Sequence, residues 1–151
     1  MKAVFQTVVD KGKGNCEQAN IASLFDLELS QVPNFILYPA TKELHWWNVF
    51  YYFIYGLGYE VKGSGYPDAE LKCYCKDLSD QPTVNGCIAA SVKSRTFEGG
   101  SHAVIINTTG TVIHDPNPNQ KFLGVNVIET KELSHWYLIE KIEVIQNENT
   151  R

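Results

Sequence analysis

Helical patterning is confined to the first half of this 151-residue chain, and strand patterning fills the second half. Helices and strands segregated along a chain point to the α+β class. Residues 4–9 read as a short strand or an extended arm, which Gly12 and Gly14 break. Residues 16–25 read as a helix, in which Ala19, Ala22 and Ser23 make a small-residue face able to approach a sheet closely. Asn15 stands at the N-cap position with Gln18 three residues on, the spacing of a capping box. Residues 28–35 make a short helical turn stopped at Pro33. A second helix starts near Thr41, a good N-cap, and runs to about Tyr55. There Leu44, Trp47, Tyr51 and Ile54 recur at three- and four-residue steps and mark a buried stripe. The aromatic residues of this helix read as core, with Trp46 a candidate to line a cleft.

Gly56 and Gly58 end the second helix, and Tyr59-Glu60-Val61 starts a strand. Residues 63–67 read as a loop, and 68–78 fit helix or strand equally. Four further strands are expected at 86–91, 102–107, 111–115 and 136–145. Pro116 and Pro118 end the third of them, because proline cannot donate to a ladder. Residues 1–145 are long enough for one domain with a real core, and the polar residues 146–151 form a frayed tail.

Composition excludes several function classes. Charged residues are 20% of the chain, the net charge is −4 and no basic cluster exceeds Lys11-Gly12-Lys13, so no nucleic-acid partner is expected. No run approaches the roughly 20 apolar residues of a membrane helix, and the first residues lack a secretory pattern, so the expected site of action is cytoplasmic with no membrane partner. Four cysteines, Cys16, Cys73, Cys75 and Cys87, would stay reduced there. Cys73-Tyr74-Cys75 has one intervening residue rather than the two to four of a zinc site, so neither metal nor cofactor is expected. Cys87 reads as a buried strand thiol.

Cys16 is different, because it opens a helix in Gly14-Asn15-Cys16-Glu17-Gln18. His102 and Asp115 follow far downstream on consecutive strands joined by Asn107-Thr108-Thr109-Gly110. Cysteine, then histidine, then a carboxylate is the layout of a thiol nucleophile, its base and the group that orients the base. A two-residue turn at 108–109 sets His102 directly opposite Asp115, with Cβ atoms roughly 4.5–5.5 Å apart. A turn centred on Thr109-Gly110 offers Asn117 instead, and a three-residue loop lands on Pro116. His114 points to the opposite sheet face by alternation and is a poor base, while His45 and His135 receive no role.

The blocks Gln6-Thr7, Gly14-Asn15-Cys16, Ala19-Asn20-Ile21-Ala22-Ser23-Leu24 and Val32-Pro33-Asn34-Phe35 resemble the opening of small bacterial and phage papain-like cysteine peptidases. His102-Ala103-Val104-Ile105-Ile106 and Val112-Ile113-His114-Asp115-Pro116 are similar to the histidine strand and Asp-Pro strand end of C39-like domains. The resemblance implies a papain-like fold, a helical lobe carrying Cys16 packed on an antiparallel sheet. It implies a thiol hydrolase that cleaves an amide, isopeptide or thioester bond of a peptide or protein, or of a small amide, through an acyl-enzyme. It also implies a glutamine upstream of the cysteine as an oxyanion donor, for which Gln6 is the match and Asn15 an alternative. Glu17 stands where the family commonly has glycine. A transglutaminase or amide-transfer enzyme would use the same residues. From a different class, a catalytically idle binding module, such as a phage protein that occupies a host factor, would present Trp46 and Tyr52.

Overall fold

The computed structural model describes residues 1–37, 45–65 and 84–143. Within them, β1 (Tyr59–Gly65), β2 (Cys87–Lys93), β3 (Ser101–Asn107), β4 (Val112–His114) and β5 (Leu133–Lys141) form one sheet in the order β1-β5-β2-β3-β4. Every pairing is antiparallel. Two α-helices, α1 (Cys16–Leu24) and α2 (Trp46–Gly56), precede all five strands. The mixed architecture expected from the segregated patterning is therefore present. No helix among the described residues is long and apolar enough to cross a membrane.

The sheet is covered on both faces, so the central strand β2 reads as an apolar run rather than an alternation. On one face Ile21, Ala22 and Leu24 of α1 and Phe50 and Ile54 of α2 pack on Ala89, Ile105, Tyr137 and Ile139. On the other, Phe122 and Val127 of the irregular segment after β4 cover Ile88, Ala90, Val104, Ile106 and Leu138. The second layer carries no helical period, which is why sequence patterning does not reveal it.

The small face of α1 does what small side chains allow. Ala19 and Ala22 are fully buried, and Ser23 Oγ donates to the Ala19 carbonyl at 2.9 Å. Residues 4–9 take the arm alternative rather than a strand: the Val4 N–H donates to Ser23 Oγ at 2.9 Å and the Gln6 N–H to the Pro116 carbonyl at 2.9 Å. Asn15 occupies the N-cap position without capping. Its Oδ1 instead accepts the Thr7 and Val8 N–H groups at 3.0 and 2.8 Å, tying the arm to the helix start.

Three local expectations are corrected. Ile54 of the expected α2 stripe is buried and Trp47 packs on the core, but Tyr51 is 41% exposed and its neighbour Phe50 takes the buried place. Thr41 and Leu44 fall outside the described residues. Gly63–Gly65 is strand rather than loop, paired with Leu138, Tyr137 and Trp136 past a bulge at Val61/Gly63, since ladder bonds need only backbone groups. The β3–β4 connection is the third correction. The Asn107 N–H donates to the Thr111 carbonyl at 2.9 Å, closing a three-residue loop. A register shift then carries the pairing from Ile106↔Val112 to Ile105↔His114. Residues 68–78, Cys73, Cys75 and the 146–151 tail also lie outside the described residues.

Gly110 closes that loop at φ +85°, and a Cβ there would lie 2.4 Å from Ile128 Cδ1. Gly110→Ala is expected to cost about 2 kcal/mol through the left-handed backbone and the displaced isoleucine together. A urea melt checks this, and a loss below about 0.5 kcal/mol would show that Ile128 yields freely.

Candidate active site

The opening residue of α1, the start of β3 and the residue just past β4 converge on one point. Cys16 is the first helical residue, His102 the second residue of β3, and Asp115 follows the last residue of β4. His102 Nε2–H donates to Asp115 Oδ1 at 2.7 Å. The contact arises although the ladder register does not set the two residues opposite each other. β4 stops at His114, and the chain bends out of the sheet at Asp115-Pro116, where the arm's Gln6 pairs with it. His102 is thus joined to Asp115, and Asn117 is not its partner. Asn117 donates its N–H to Asp115 Oδ1 at 2.9 Å and accepts the Asn119 N–H on its own Oδ1 at 3.0 Å.

Asp115 is 1% exposed, and its second oxygen accepts the Phe122 N–H at 3.0 Å. Burial opposes the carboxylate charge, but the hydrogen bonds from His102 and the two backbone N–H groups outweigh it and hold its pKa below the ordinary value. Burial likewise opposes the charge on His102. Hydrogen bonds to Asp115 and Cys16, with the charges of both, override it and raise the imidazole to about 9. With Nε2 engaged by Asp115, Nδ1 is the ring nitrogen left for the Cys16 sulfur. Phe122 stacks against the ring at 6.0 Å between centroids, and Arg95 Cζ lies 4.2 Å from the Phe122 ring centroid.

Gln6 and Asn15 separate clearly. Asn15 spends its Nδ2 on Thr7 Oγ1 and Gln18 Oε1, both at 3.1 Å, and its Oδ1 on the arm. Gln6 lines the same small cavity as Cys16, His102 and Asp115, of about 40 Å³. Its Nε2 donates to the Val8 carbonyl at 3.2 Å, and its buried Oε1 has no partner among the described residues.

A second, larger cleft of about 270 Å³ opens from the other side of Cys16. Glu17, Trp46, Trp47, His135 and Tyr137 line it. Trp46 fulfils the expectation of a cleft residue. Glu17 and His135 are cleft residues that the sequence pattern does not point to. The signal for Glu17 was its place beside the cysteine, while nothing in the local sequence marks His135. Glu17 is 8% exposed, and burial pushes its carboxyl up to about 7 while the charge of His102 pulls it down.

His114 and Cys87 have structural duties. His114 lies buried on the α1 side, its Nε2 3.0 Å from both Ser23 Oγ and the Val4 carbonyl, and burial lowers its pKa. Cys87 Sγ donates to the Asn85 carbonyl, and burial raises its pKa. No group of three or more His, Cys, Asp or Glu side chains among the described residues is placed to hold a metal ion.

The arrangement can take a proton from a thiol and return it to a leaving group. In comparisons with family models, curated proteins and solved structures, nothing matches this chain.

Proposed function

We propose that the chain is a papain-like thiol hydrolase whose nucleophile is Cys16. The observation that carries this reading is the position of His102, bonded through one nitrogen to the buried Asp115 and lining the same cavity as Cys16. An imidazolium stabilises a neighbouring thiolate, and a carboxylate behind it fixes the tautomer and the ring orientation. In the proposed reaction Sγ attacks a carbonyl carbon and the C=O pair moves to oxygen. When the tetrahedral intermediate collapses, the bond to the leaving amine or thiol breaks and His102 Nδ1–H supplies the proton. Water then attacks the carbonyl carbon of the Cys16 thioester, giving its proton to His102; the C–S bond breaks, the carboxylic acid leaves, and the Cys16 thiolate and His102 imidazolium are restored. An amine in place of water gives transfer on the same residues. Asn15 does not cap α1, which leaves the first-turn N–H groups available to an oxyanion, with the Gln6 amide in the same cavity. A peptide or protein amide, isopeptide or thioester is the proposed substrate.

Iodoacetamide labelling at pH 7, read by peptide mass mapping, tests the pair. Cys16 is expected to label faster than the buried Cys87. His102→Ala is expected to slow Cys16 by about tenfold or more, the ordinary scale of losing a charged partner to the thiolate. Equal Cys16 rates in the two proteins would remove the basis of the reading.

A further inference from the structure

We propose that the cleft beside Glu17 receives a cationic side chain of the substrate, an ammonium or guanidinium carried on an alkyl arm. This rests on the thiol-hydrolase reading above and names its substrate class. Glu17 follows Cys16 directly and lines the same cleft, so a group bound there stands a few bonds from a carbonyl at the sulfur. Oε1 of Glu17 is buried with no hydrogen-bond partner among the described residues. An acceptor in that state carries the full cost of lost hydration, which a donor from the ligand would recover.

The walls suit the same ligand. Trp46 and Trp47 stack with ring centroids 3.9 Å apart, and Tyr137 meets Trp47 edge-on at 5.2 Å. Aromatic faces hold both the charge of a cation and the methylenes of its stem. No lysine or arginine lines the cleft among the described residues. The other ionisable groups lining the cleft are Cys16, His135 and Tyr137, the charge of His102 also reaches Glu17, and burial keeps His135 toward its neutral form. If Cys16 and His102 form an ion pair, Glu17 is the charge left for a ligand to neutralise. At about 270 Å³ this cleft has room for an extended side chain, whereas the cavity on the Gln6 side, at about 40 Å³, does not.

Tryptophan fluorescence titrations of the full chain at pH 8 test the proposal, with the N-acetyl methylamides of lysine, norleucine and glutamine as probes. Lysine is expected to bind about tenfold more tightly than either neutral probe, and Glu17→Gln to erase that margin. Trp46→Leu should weaken lysine without reversing the order. Far-UV circular dichroism establishes that both variants are folded. Equal affinity for lysine and glutamine would overturn the cation in favour of a neutral hydrogen-bonding pocket. A lysine preference that survives in Glu17→Gln, or no binding of any probe, would overturn the subsite. The titration needs no reaction at Cys16. Failure here with His102-dependent iodoacetamide labelling intact refutes the subsite alone, and the opposite pattern refutes the hydrolase.

Discussion

Asp115→Ala is expected to remove about 4 kcal/mol of folding stability and to lower the unfolding midpoint by roughly 10 °C. The carboxylate is 1% exposed and accepts from three donors: His102 Nε2 and the N–H groups of Asn117 and Phe122. Alanine leaves all three without an acceptor, two of them backbone groups in a buried turn that no rotamer change can redirect. It also leaves the imidazole of His102, whose side chain is 11% exposed, without its carboxylate. Differential scanning calorimetry at pH 7 reads the loss, and a cost under about 1 kcal/mol would mean that water satisfies the turn. Asp115→Asn separates charge from shape. It should lose less stability, while the His102 ring titration, followed by NMR, falls from about 9 toward the ordinary imidazole value because the residue that accepts its hydrogen bond no longer carries charge.

The same carboxylate shows where sequence reading succeeds and where it stops. Residue types and their order brought Cys16, His102 and Asp115 into one hypothesis, because a nucleophile at a helix start and a base on a strand are local features. The geometric route to the pair was not legible. A two-residue turn would place His102 opposite Asp115 within the ladder, whereas the chain makes a three-residue loop with a register shift and delivers Asp115 from beyond the strand end. A register depends on one backbone bond at the turn, and Asn107 Oδ1, by accepting the Thr109 and Thr111 N–H groups, decides it with a side chain that no period encodes. Asn15 stands at its helix boundary as its residue type suggests, but its Oδ1 bonds to Thr7 and Val8, in an arm with no regular pattern to reveal them. The two-sided burial of the sheet escaped for a related reason. Phe122 and Val127 cover one face from irregular backbone, and periodicity detects only regular elements.

Arm, turn and cleft have a common cause in these irregular segments. The arm bonds to Pro116 through Gln6 and to α1 through Asn15 and Ser23, so it fixes the helix start relative to the end of β4. That alignment, together with the packing of α1 on the sheet, places Cys16 beside His102. Residues that hold the arm, Asn15 above all, are therefore positioning residues for the proposed nucleophile rather than participants in its chemistry.

Glu17→Gln is expected to change the pH dependence of stability by roughly 3 kcal/mol between pH 4 and pH 8. Glu17 is raised from 4.5 to about 7 in the folded protein. The folded state therefore holds a proton that the unfolded chain has released. For a raised pKa the associated stability is fully present below the unfolded value and is lost as pH rises through the folded one. The wild-type protein should lose stability relative to Glu17→Gln most steeply from about pH 4.5 to about pH 7. His102, raised to about 9, carries its own loss from about 6.5 to 9 in both proteins, and most of it cancels in the difference. The part that does not cancel is its attraction for ionised Glu17, which vanishes as the imidazole deprotonates and widens the gap at the alkaline end. Urea midpoints measured every half unit of pH read the effect, and parallel profiles would show that the carboxyl is solvated. The same experiment connects stability to the proposed subsite. If a lysine side chain supplies the missing donor, millimolar N-acetyl-lysine methylamide should raise the wild-type midpoint at pH 8, where Glu17 is charged, and leave Glu17→Gln unmoved.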